Sequence, residues 1–133
     1  MDQIVVESSE TTYSQLTKTI CVGIIVVLIF DALASLTSLW FSLDYGSFSI
    51  GSAFIYFLVG YSGSRRSSFV NSLIAVFFVA LADLTLGWAI SWFIGPGRIV
   101  EGLTLSIFIL VVLSVFPFAL LFGALGGLVS RWI

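Results

Sequence analysis

Four stretches of this chain are long, apolar and almost free of charge: Ile20 to Ser42, Ser47 to Gly63, Phe69 to Ile94 and Gly102 to Ser130. Only Leu43 to Gly46, Ser64 to Ser68 and Gly95 to Glu101 separate them. Crossing a hydrocarbon core of about 30 Å takes about 20 residues of helix, so each stretch predicts a membrane span. Hydrophobic residues make up 59% of the 133 and charged ones 9%, against about 25% charged in soluble domains, which excludes a water-soluble globular fold. None of the stretches alternates as barrel strands must. The expected fold is therefore all-α, an integral membrane four-helix bundle with TM1 at 20–42, TM2 at 47–63, TM3 at 69–94 and TM4 at 102–130. TM2 is short and should stand nearly upright or snorkel at its ends, whereas TM4 is long and should tilt or bend, with Pro117 in mid-span as the point of bending.

Residues 1–19 carry Asp2, Glu7, Glu10 and a Ser/Thr-rich run, and they lack the basic segment and short apolar core of a cleaved signal. They form a polar N-terminal tail, mobile or a surface helix, ahead of a single transmembrane domain over 20–133. Lys18, Arg65, Arg66 and Arg131 fall on one side of a four-span chain and only Arg98, beside Asp44 and Glu101, falls on the other. The positive-inside rule then places both termini in the cytoplasm of a multi-pass protein. Trp40, Trp92 and Tyr45 fall at the outer interface and Trp132 and Tyr61 near the inner one, where amphipathic rings are favoured.

The two charges inside the spans are Asp31 and Asp83, and each is followed nine residues later by Trp-Phe. An ionisable residue at bilayer depth is costly and marks a functional-site hypothesis. The shared pattern, offset by 52 residues, suggests two helical hairpins related as a parallel repeat. Nine residues at about 100° each turn a Trp about 180° from its Asp, so the aspartates face inward and the tryptophans outward. Small residues share the Asp faces: Ala34, Ser35, Ser38 and Ser42 on TM1, and Gly87, Ser91 and Gly95 on TM3. Such stripes allow close helix approach, which makes TM1 and TM3 the expected central pair. Ala119, Gly123 and Gly127 form a second small line on TM4, suited either to packing within one chain or to dimerisation.

Neither aspartate has a basic residue within the spans to pair with, and an isolated carboxylate in a low dielectric takes up a proton or a cation, or bonds to neutral donors. The candidate partners are Ser35, Tyr56, Thr85 and Ser114 near mid-depth, with Asn71 closer to the inner side. Two roles follow. In the first, the aspartates fix helix register or dock a neighbour, and the chain is a structural or accessory subunit of a membrane homo- or hetero-oligomer. In the second, they form the proton or monovalent-cation site of a small transporter or channel. The sequence favours the first. No histidine is present, which removes the usual haem, zinc and copper ligand and the neutral-pH proton shuttle. No enzyme, cofactor or metal centre is expected, and the single Cys21 cannot form an intrachain disulfide. A net charge of −2 with no basic run beyond Arg65-Arg66 argues against nucleic acid; the expected partners are the lipid bilayer and other membrane subunits, of this chain or of another.

Overall fold

The computed structural model describes residues 2–96 and 105–133, with side chains from Tyr13 onward in the first part and at 106 and 109–133 in the second. Arg98, Glu101 and the expected start of TM4 lie outside the described residues. All regular structure among the described residues is helical. Helix α1 runs from Asp2 to Phe41, α2 from Ser49 to Arg66 after a short 3-10 turn at Tyr45–Phe48, α3 from Phe69 to Ala82, α4 from Trp88 to Ile94, and α5 from Leu105 to Val129. Between α3 and α4 a π-helical turn, Asp83–Gly87, continues the rod without a break. Tyr13–Phe41, Phe69–Ile94 and Ile109–Val129 are long and apolar enough to cross a membrane, which points to a small membrane protein. The second expected span, α2, is shorter and less apolar, and its last turn carries Arg65 and Arg66.

Several boundaries differ from the expectation for physical reasons. Residues 2–19 are helical, the second of the two expected forms: no glycine or proline interrupts them, and their backbone is continuous with the rest of α1. Helix α2 passes through Gly63 and Ser64 to Arg66, because a single glycine weakens a helix by only about 1 kcal/mol and the flanking turns continue the hydrogen-bond ladder. Pro117 lies inside α5 without ending it. At the end of α1, Ser42 adopts a left-handed conformation (φ 52°), Leu43 N–H donates to the Ser38 carbonyl at 3.2 Å, and the Ser38 hydroxyl donates to the Leu43 carbonyl at 2.7 Å. The helix is thereby closed and the chain turned back toward α2.

The expected contact between TM1 and TM3 is present, with α1 packed along α3, the π turn and α4. Both α2 and α3 touch α1 and α5, whereas α1 and α5 make at most marginal contact among the described residues. The most extensive packing is between α2 and α5. Glycine explains it: a Cβ on Gly60 would fall on the Gly123 carbonyl, and one on Gly126 would fall on the Phe57 carbonyl, so the two backbones touch directly. A strict parallel repeat would bring α1 to α5 as α2 is brought to α3, and the arrangement departs from it. The core is built of small and β-branched side chains, among them Val27, Val59, Val76, Val79 and Ala80. Leu33 and Ile29 on α1, and Leu110, Leu113 and Leu121 on α5, are exposed, an outer surface suited to lipid.

The two ends of the molecule differ. Thr19 of α1 lies within 3.6 Å of where a Gly63 Cβ would stand, and the Arg131 guanidinium sits 5.1 Å over the Phe69 ring. Lys18, Arg65, Arg66 and Arg131 are therefore gathered at one end. The Tyr45–Phe48 turn closes the other.

Candidate functional site

Asp31 and Asp83 meet. Asp31, in the middle of α1, is 3% exposed. Asp83 is the first residue of the π turn, and its carboxyl lies within hydrogen-bonding reach of that of Asp31. Two carboxyls in such contact share one proton, since two bare carboxylates side by side repel. From α2 the Tyr56 hydroxyl, 1% exposed as a residue, donates to Asp83 Oδ2.

Gly87 makes the approach possible. A Cβ there would collide with Asp31 Oδ2 and stand 3.0 Å from Asp83 Oδ1. The glycine is thus the notch into which the α1 carboxyl fits. The π turn contributes as well, for it inserts an extra residue into the rod, Trp88 N–H reaches back to the Asp83 carbonyl, and side chains before and after the turn are re-aimed. Above the pair, Ser35 on α1 and Ser91 on α4 are fully buried and continue the small-residue stripe. Trp40 is exposed on the side of α1 away from buried Asp31, as the nine-residue spacing requires.

The turn between α1 and α2 supplies the lid. Tyr45 folds back so that its hydroxyl approaches Asp31, Ser35 and Ser91. Burial, and then the charge of Asp31, push the Tyr45 hydroxyl above its usual value of 10.0, so it remains protonated and able to donate at physiological pH. Even so, Asp31 Oδ2, Ser35 Oγ and Ser91 Oγ take part in no hydrogen bond of ordinary geometry. Buried polar atoms without partners are rare, and three around one point are unusual for a site whose only purpose is to hold helices together. Next to them lies a cavity of about 170 Å³ whose lining includes Phe30, Asp31, Tyr45, Phe48, Ser52 and Asp83. It is at the end of the molecule opposite the basic cluster.

Of the neutral partners expected for the aspartates, Tyr56 bonds to Asp83, Ser35 is buried one turn from Asp31 without a hydrogen bond, and three lie elsewhere. The Thr85 hydroxyl donates to the Leu81 carbonyl at 2.7 Å, and the Ser114 hydroxyl to the Val111 carbonyl at 2.8 Å; both return to their own helix and are exposed. Intrahelical return bonds of this kind are the common fate of such hydroxyls when no other acceptor is nearer. Asn71 sits in the first turn of α3, its N–H capped by the Ser68 hydroxyl at 3.1 Å, about 18 Å of helix away from Asp83. The small line on α5 is turned inward: Ala119 is fully buried, Gly123 faces Val76, and Gly127 faces Phe69. Tyr45 was placed by sequence at an interface, not in the site. Its only signal was proximity to the end of TM1, and a short turn that folds inward leaves no periodicity to read.

No family model matches the chain, and no curated protein or solved structure matches it either.

Proposed function

We propose that this chain is a small, non-enzymatic, proton- or cation-coupled membrane transporter or channel, with the Asp31–Asp83 pair as its ion site. The observation that carries the reading is the direct contact of two intramembrane carboxyls beside a cavity that reaches them from one end of the molecule. An ion site needs both a group that exchanges its ion and a route to it. A purely structural pair needs neither, and would be sealed with its acceptors satisfied. In this reading α2 is the fourth span, its arginines snorkelling to the surface, and both termini are cytoplasmic because the basic cluster lies at their end. The cavity then faces the outer side. A bundle this small encloses little solvent, so the working unit is an oligomer of at least two chains. Docking as an accessory subunit is the weaker reading, because the TM4 glycine face that would serve it is engaged within the chain.

Reconstitution into sealed liposomes holding a pH-sensitive dye tests the proposal. An imposed potassium diffusion potential should drive proton uptake in the wild type. Asp31→Asn and Asp83→Asn should each reduce it at least tenfold while the proteins still elute as the same oligomer. Flux unaltered in both variants would sink the proposal.

A further inference from the structure

We propose that the cavity between the Asp31–Asp83 pair and the rings of Phe30, Tyr45 and Phe48 binds a small alkylammonium ion carrying at least one N–H, taken up in exchange for the proton that the pair shares. The inference rests on the transport reading and names what is exchanged.

Size sets the first limit. At about 170 Å³ the cavity resembles those of about 150 Å³ that take up benzene, so the occupant has about six non-hydrogen atoms. Charge sets the second. Two carboxyls line the space and none of its lining residues is basic, so an anion is repelled and a cation is drawn in. Wall chemistry separates organic from inorganic cations. A bare metal ion requires a shell of oxygens, whereas three of the lining side chains are aromatic rings, whose faces attract desolvated ammonium groups. The last limit comes from the two carboxyls that line the space, because no lining residue is basic and a carboxylate ionised there has no cationic side chain to donate to it. A quaternary ammonium would leave it so. A protonated amine donates to it.

The exchange balances. With one shared proton the pair carries a charge of −1; the proton leaves to water, both carboxylates become ionised, and the arriving ammonium restores the site to −1 with its N–H as donor to the carboxylates lining the cavity. The titratable groups facing the pair are Tyr56 from α2 and Tyr45 from the turn, and both remain neutral donors throughout. Binding should therefore weaken as pH falls, because the amine competes with a proton for one place.

Titration of the purified full-length protein in lipid nanodiscs with trimethylammonium chloride, read by calorimetry and by a pH indicator in weak buffer, decides the matter. Saturable binding with about one proton released per ion, and affinity falling with pH, is the expected result. Tetramethylammonium should bind about tenfold more weakly for want of the N–H, and sodium chloride at equal ionic strength should not compete. Phe48→Leu, which keeps the wall apolar and the carboxyls untouched, should weaken trimethylammonium several-fold through the lost ring face. Absence of saturable binding, equal binding of both ammonium ions, or binding unaffected by Phe48→Leu would overturn the inference. If aspartate-dependent proton flux persists without amine binding, only this inference falls; if neither is seen, the transport reading falls with it.

Discussion

A single missing methyl group decides whether the two aspartates can touch. Gly87 faces Asp31 across the contact between α1 and the π turn, and the oxygen of that carboxyl occupies the place where a side chain would begin. Gly87→Ala should leave the helices formed, since alanine is the better helix former, yet it must push α1 or the carboxyl away. Proton flux in liposomes should drop at least tenfold although both aspartates remain; flux equal to wild type would mean that the contact is irrelevant to the activity. The sequence made part of this visible. Asp31 and Asp83 stand out because charge in an apolar run is costly, and the stripe of Ser35, Gly87 and Ser91 follows from helical phase. It could not rank the neutral partners. Tyr56, Thr85 and Ser114 all fall near mid-depth, and only three-dimensional placement shows that Tyr56 reaches Asp83 while the other two hydroxyls bond to their own helix.

Among the elements, the closest association is between α2 and α5, where glycine replaces side-chain interdigitation by backbone contact. The competing effects at Gly60 can be weighed. Helix propensity favours alanine by about 1 kcal/mol, while forcing a Cβ onto a carbonyl of the neighbouring backbone costs about 1–3 kcal/mol and cannot be relieved by a rotamer change. Gly60→Ala should therefore lower thermal stability in detergent, and an unchanged or raised melting temperature would show that α2 and α5 can separate freely. The existence of the apolar helices was legible from composition alone, and their ends were legible to within a few residues at Phe41 and Phe69. The π turn was not. It depends on how one carbonyl, that of Asp83, is satisfied within a continuous apolar run, and no residue preference marks it. The α2–α5 contact is hidden for a similar reason: the α5 line of small residues suits packing within the chain as well as dimerisation, and its spacing does not name the face it meets.

Seen whole, the molecule is polar in an asymmetric way. Among the described residues the basic side chains gather at one end, an apolar surface encircles the middle, and a small cavity at the opposite end leads to two carboxyls held in contact. That arrangement suits an ion that enters from one side and is released after the helices rearrange about the pair, in the manner of sites placed near the bilayer midplane. The account depends on the pair holding one proton between its two carboxyls in the membrane. Infrared spectroscopy of the protein in lipid at neutral pH tests this most directly, by comparing wild type with an Asp31→Asn/Asp83→Asn double variant. The wild type should show the C=O stretch of a protonated carboxyl, absent from the double variant; spectra without that difference, indicating two ionised carboxylates, would contradict it.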